Sequence, residues 1–421
     1  MSMSASLSRE MAFMLRERAV VAVVVLTLVL SCAAVLGGVL EVREQQHTIE
    51  TLQATDAEER EYALSQHSDW GSAAYYSFHL TYDPPAPFAF AALGQRDSGA
   101  WKHRVRMLAL EGQIYQRDAG NPMFALVGRF DFAFLVAFVL PLLLIALLHD
   151  LHASERSAGR HNLLTATAAN PNALWWTRAT VRALGVYLAV IIPLVIAAIA
   201  TDTPLTTALI ASAQVLLYVA FWTALVVYVA MWRQSAGAIM SALLGFWLLS
   251  AVVVPAVGRV SIDGLVNLPD SADLLLTQRE VVNQAWDLPK EDTMTAFVER
   301  HPEWSEYTNI TQPFEWKWYF AFQQVGDQEA ESLSKAYRQG RIRRDHLSQY
   351  VALLSPPALM ERSLQKLAQT DIPASISYEL EVRQFHAALR AYFYPKLFKD
   401  EPFDPQALSN LPAFVPQEAL R

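Results

Sequence analysis

The sequence predicts an all-α, polytopic membrane helix bundle with about five spans and two external, mainly helical domains. Three observations predict it. Hydrophobic residues make up 53% of the 421 residues and charged residues only 18%, where a soluble chain of this length carries about a quarter. The apolar excess is gathered into long uncharged blocks, the pattern of lipid-facing helices. The arginines then alternate between the connections in the way that membrane topology requires.

Residues 19–40 hold no charged side chain and are long enough to cross a hydrocarbon core of ~30 Å, so they form span 1. The run is longer than the apolar part of a secretory leader, and the triplet before Cys32 resembles those common in any Ala/Leu/Val-rich helix; the span is expected to stay uncleaved. Span 2 is expected over 132–148, bracketed by Asp131 and His149, span 3 over 183–200, span 4 over 205–232 and span 5 over 238–257. Pro141 and Pro193 each remove a helix hydrogen bond and are expected to kink spans 2 and 3. The spans hold no central Asp, Glu, Lys or Arg, which argues against a proton-coupled carrier. Their polar residues are mild: Gln214 and Tyr218 one turn apart, Tyr228 near the same face, and Gly237, Ser241 and Gly245 as a small-residue seam for close helix packing.

Arg9, Arg16 and Arg18 precede span 1, Arg156, Arg160, Arg178 and Arg182 lie between spans 2 and 3, and Arg233 lies between spans 4 and 5. All three segments are cytoplasmic at once if the N-terminal segment, residues 1–18, is cytoplasmic. Residues 41–131 and 258–421 then form the two external domains.

The first external domain begins as a solvated helical stalk over Glu41–Gln66. An aromatic patch follows, Tyr75, Tyr76, Phe78 and Tyr82, reading as a small core or an interfacial belt, with a ligand site as the alternative. The prolines of Asp83–Phe88 exclude a helix interior and a central strand, and Asn121–Pro122 marks a turn toward span 2. In the second domain, helices are expected over 272–285, 293–300, 315–338, 345–354, 357–369 and 374–398, with the basic cluster at 340–344 as a solvated face beside a turn and contact with anionic headgroups as the alternative.

The net charge of −8 gives no basis for nucleic-acid binding, and the single cysteine excludes a disulfide within the chain. The sequence carries no phosphate-binding loop, H-E-x-x-H, G-x-S-x-G or calcium loop. No cofactor or enzymatic activity is therefore assigned to the chain itself.

The loop 149–182 is the most informative segment. Glu155, Arg156 and Gly159 form a Glu-Arg-x-x-Gly motif, followed by Arg160 and the paired Leu163 and Leu164. With the external run Ala74–Tyr76, Pro84–Pro85 and Ala89–Asp97, then Glu111–Gln113, the chain resembles permease subunits of ATP-binding-cassette exporters, in the superfamily linked to multicopper-enzyme maturation. The resemblance implies that 149–182 is a coupling loop that docks on a separate ATPase through Glu155, Arg156, Gly159, Arg160 and Leu163. Gly159 is read as a bare surface for that partner, and Glu155 as a residue without a buried structural role. It also implies ATP hydrolysis in that other subunit, pairing with a second permease as a homo- or heterodimer, and a cavity faced by spans 1 and 5. The setting is a bacterial cytoplasmic (inner) membrane. Such permeases usually have six spans; this chain shows five, so either the sixth is lacking here or the subunit works with five. The other reading is a membrane-anchored assembly or sensing scaffold whose external domains do the work.

Overall fold

The structure, a computed structural model, describes residues 3–115, 129–167, 170–232 and 234–416. Asn121–Pro122, Arg233 and the residues beyond 416 lie outside the described residues. The described chain is mostly helical, and five of its helices are long and apolar enough to cross a membrane: Arg18–Ser65, Phe132–Ser157, Asn172–Ala200, Leu205–Ala230 and Ala236–Leu265. Four contain an expected span whole, and Leu205–Ala230 ends two residues before the expected 232; they are called spans 1 to 5 below. An additional helix, Met3–Arg16, precedes span 1.

Prolines shape the bundle. Pro141 has no N–H for the carbonyl four residues back, and the chain around it relaxes into a π-helical turn over Leu135–Val139. The carbonyl it leaves, that of Ala137, accepts a 2.7 Å hydrogen bond from the Tyr218 hydroxyl of span 4. The next carbonyl, Phe138, accepts from Trp247 Nε1 of span 5 at 3.1 Å. Span 5 repeats the device: a π-helical turn over Leu249–Val253 precedes Pro255, and the Ser250 carbonyl accepts from the Ser355 hydroxyl at 2.6 Å. In span 3, where Pro193 cannot bond Ala189, the neighbouring Val190 carbonyl accepts from Ser31 of span 1 at 3.2 Å. Tyr218 thus faces the bundle core, whereas Tyr228 is exposed, so the two do not share a face.

Ser355 also caps the helix Pro356–Leu367, accepting from the Ala358 amide. One face of this helix carries Met360 and Leu364 into the same apolar core as spans 2, 3 and 4. It is a wedge between the bundle and the polar part of the chain. Thr370, just beyond it, donates to the Ala92 carbonyl at 2.8 Å and accepts the Gln95 amide at 2.7 Å. Asp131 caps span 2 through the Phe134 amide and also accepts the Leu93 amide, at 2.8 and 2.9 Å. The Ala89–Ala91 turn so anchored lies directly on span 1, where a Cβ at Gly38 would collide with the Phe90 carbonyl oxygen.

The expected pair of separate domains is not what forms. Trp70, Ala74 and Met107 share one core with Phe297, Phe320, Phe322 and Phe393, while Val105, Leu110 and Ile114 pack on Val382, Phe385 and Leu389. Charge joins the two segments as well: Glu111 receives Arg383 through both carboxylate oxygens at 2.9 and 2.8 Å. Of the aromatic patch only Tyr75 joins this core, against Trp316 and Tyr319, while Tyr76 is exposed, Phe78 lies under Arg104 and Arg106, and Tyr82 packs on Phe414. Span 1 continues without interruption into the stalk as one 48-residue helix. The stalk is not wholly solvated, since Val42, Gln45, Ile49 and Asp56 are buried on its inner face.

Two further expectations change. Strands β1 (His79–Tyr82) and β2 (Lys102–Val105) pair antiparallel, so the polar body is not purely helical. The solvated face beside a turn expected at 340–344 is the interior of a 38-residue helix, Trp316–Leu353, and its basic residues are engaged: Arg341 with Glu379 at 2.5 Å and Arg344 with Asp263 at 2.8 Å. The remaining helices, Ser271–Gln284, Lys290–Arg300 and Ile372–Phe398, lie close to their expected positions.

On the wedge helix, burial pushes the Glu361 carboxyl up to about 7, with the Asp131 carboxylate adding to it. The folded state therefore binds the proton more tightly than the unfolded chain. Stability is full below the unfolded value near 4.5 and falls as pH rises toward 7, by about 2–3 kcal/mol in all. Glu361→Gln should remove most of that fall, so that unfolding midpoints in detergent at pH 5 and pH 8 move closer together than in the parent. Parallel profiles for variant and parent would refute the assignment.

Candidate functional site

Beyond Leu148, where the apolar part of span 2 ends, the chain forms two short helices, Ala153–Ser157 at the end of the span and His161–Thr167 after it. Gly159 joins them at φ +71°. Its amide donates to the Arg156 carbonyl and the Arg160 amide to the Glu155 carbonyl, both at 3.0 Å, the paired bonds that end a helix at a left-handed residue. A Cβ at Gly159 would meet nothing within 4 Å. The glycine is therefore needed for its backbone conformation as well as being bare, and the expectation that it serves only as an open surface is incomplete.

Glu155 is also more than a surface residue. Its side chain is 14% exposed and accepts from Arg160 Nε at 2.8 Å and from Arg178 Nη1 at 3.2 Å. Arg178 in turn reaches Glu10 at 3.1 Å. The network runs from the Met3–Arg16 helix through span 3 to the loop, so the expectation that Glu155 lacks a buried structural role is overturned. One turn along span 3, Arg182 pairs with Glu17 at 2.5 Å and donates to the Leu147 carbonyl at 3.2 Å. Trp175 closes the inner side: His152 lies 4.2 Å from it, His161 stacks on it at 5.6 Å, and the Arg178 guanidinium sits 5.4 Å over its ring.

Arg156 turns another way. Its Nη2 donates to the Trp232 and Gln234 carbonyls at 3.2 and 3.0 Å, tying the loop to the end of span 4. Arg160 leaves most of its side chain in solvent, and Leu163 is 66% exposed. Four of the five sequence-selected residues, Glu155 to Arg160, thus form one knuckle, and Leu163 stands free on the helix beyond it. Gly237, Ser241 and Gly245 lie elsewhere, on a face of span 5 that no other helix of this chain covers.

Sequence reasoning missed Glu10. The signal was present: Glu10 and Glu17 are the acids of a basic N-terminal segment, Glu10 in its helix and Glu17 at the extended residue after it, and they meet Arg178 and Arg182, four apart on span 3.

Gly159→Ala should destabilise the protein by about 1 kcal/mol through its left-handed backbone, and Gly159→Asn by less, because asparagine tolerates that region. Thermal unfolding in one detergent would show it; equal melting of the two variants would argue against the helix-terminating role.

Against this geometry, comparison with known proteins adds one match. A family described as a domain of unknown function (DUF3526) matches residues 273–417, which lie in the polar body beyond span 5. No curated protein matches the chain, and no solved structure does.

Proposed function

We propose that the chain is the membrane-embedded permease subunit of an ATP-driven exporter, taking its energy from a separate ATPase that docks on the loop between spans 2 and 3. The observation that carries this reading is the braced knuckle at Glu155–Arg160. Its ion pairs bind it to the N-terminal helix and to span 3, and Arg156 binds it to the end of span 4. A push delivered there would reach three membrane elements at once, which is what a lever needs. Exposed Arg160 and Leu163 are the surfaces left for a partner, and the bracing gives Glu155, Arg156 and Gly159 the part of positioning them.

The spans support a second permease subunit in the assembly. In their apolar windows 28% of span 1 and 22% of span 5 is buried within the chain, against 67%, 50% and 44% for spans 2, 3 and 4. The Gly237/Ser241/Gly245 face lies on span 5, where a neighbouring backbone can approach closely. In this reading the membrane is the bacterial inner membrane, the knuckle is cytoplasmic and the polar body is external. The size of the polar body favours a second reading, a membrane-anchored assembly or sensing scaffold.

Leu163→Asp should abolish co-purification of the partner ATPase while leaving expression and melting unchanged. In a Cys32→Ala background, Ser305→Cys should react with an impermeant maleimide in intact cells and Ser157→Cys should not; both positions are exposed in the fold. Capture unchanged by Leu163→Asp would refute docking at this helix, and absence of ATPase capture by the parent itself would leave the scaffold reading; the reverse labelling would refute the orientation.

A further inference from the structure

The wedge helix Pro356–Leu367 has a second face, turned away from the bundle. With the end of the Trp316–Leu353 helix and the start of Ile372–Phe398 it encloses a groove of about 680 Å³, within the ~300–1,000 Å³ usual for small-ligand sites. Its walls carry four large side chains that water would cover poorly, Tyr350, Leu353, Leu359 and Leu380, all exposed. Its polar margin holds Arg362 and Lys366 together with Asp345, Asp371 and His346; Asp371 caps the Ile372–Phe398 helix through the Ala374 amide. Arg362 is clamped on the Asp345 carboxylate through both Nη atoms at 2.7 Å, which fixes its position. Lys366 is exposed and has no ion pair among the described residues.

The position of the groove decides what fills it. The opposite face of the same helix packs against the start of span 2 and against span 4, and Ser355 at its start bonds to span 5, so the groove sits at the level where the spans end. Its apolar wall continues onto span 5: a Cβ at Gly258 would collide with Val351, and beside that contact Val257 and Val260 are exposed. With the five helices in a bilayer, Val257 and Val260 would face lipid, and Tyr350 is the neighbour in sequence of the Val351 that touches Gly258.

We propose that the groove holds one anionic membrane lipid, with its acyl chain along Tyr350, Leu353, Leu359 and Leu380 and its acidic headgroup at Lys366 and Arg362. An apolar wall open to the bilayer selects a chain, and a cation without a partner at the membrane surface selects a negative headgroup. The inference needs the five helices to cross a bilayer and is independent of the exporter reading.

The test uses the full-length protein in its own membranes, with Leu359 replaced by the photocrosslinker p-benzoylphenylalanine and, separately, Val257 replaced as a bulk-lipid reference. After irradiation, intact-mass analysis should find phospholipid adducts at 359, with acidic headgroups enriched severalfold over those captured at 257. Lys366→Glu should bring that ratio down to the reference without changing the melting temperature; Lys366→Gln serves if the reversal lowers expression. Absence of a lipid adduct, an adduct with protein, a headgroup mix equal to that at 257, or enrichment that survives both lysine variants would overturn the proposal.

Discussion

The bundle depends on carbonyls that proline leaves without a partner. An interior proline costs a helix about 3 kcal/mol or more, and in lipid the abandoned carbonyl has no water to turn to. Tyr218 at Ala137, Ser31 at Val190 and Ser355 at Ser250 each bring a hydroxyl from a different helix to or beside such a site. The Tyr218 bond repairs the vacated carbonyl itself and the other two lie beside such a site; all three fix which helices are neighbours. Apolar packing alone would leave register open, because one leucine surface suits another.

The same device joins the polar body to the membrane part. Ser355 caps the wedge helix and bonds to span 5, so the wedge enters the bundle at one depth and in one orientation. From there Thr370 and Asp131 hold the Ala89–Gln95 segment, and Glu111–Arg383 ties the early polar segment to the late one. At the other end of the bundle, Glu10, Arg178 and Glu155 make the matching connection with charge in place of hydroxyls. Both ends of the spans are thereby braced, which is why movement at the knuckle or at the wedge would be shared among several helices.

The spans were legible because uncharged length is a one-dimensional property, and Asp131 marks the start of span 2 directly in the sequence, whereas the helix of span 5 runs past Arg259 to Leu265. Helix 374–398 was legible from its 3.6-residue apolar period. What was not legible depended on distant residues. Strand β1 ends beside the Asp83-Pro84-Pro85 run, and only its pairing with β2 makes it a strand. Gly340 and the basic residues after it read as a solvated face beside a turn, yet the glycine makes room for Leu268 and the arginines find acids from other segments. The division into two domains failed for the same reason: the Trp70 and Phe297 core joins residues more than 200 positions apart. At the knuckle the Glu-Arg-x-x-Gly spacing located the site, but Glu155 looked solvent-facing because its partner Arg178 comes from span 3.

The central claim is that hydroxyl-to-carbonyl bonds exist to answer proline. A double-mutant cycle on Pro141→Ala and Tyr218→Phe, read by equilibrium unfolding in one detergent, tests it most directly. With Pro141 present, Tyr218→Phe should cost about 1–2 kcal/mol. With alanine at 141 supplying an N–H to the Ala137 carbonyl, the same loss should cost much less, giving a coupling energy of about 1 kcal/mol. Equal costs in the two backgrounds would contradict the account.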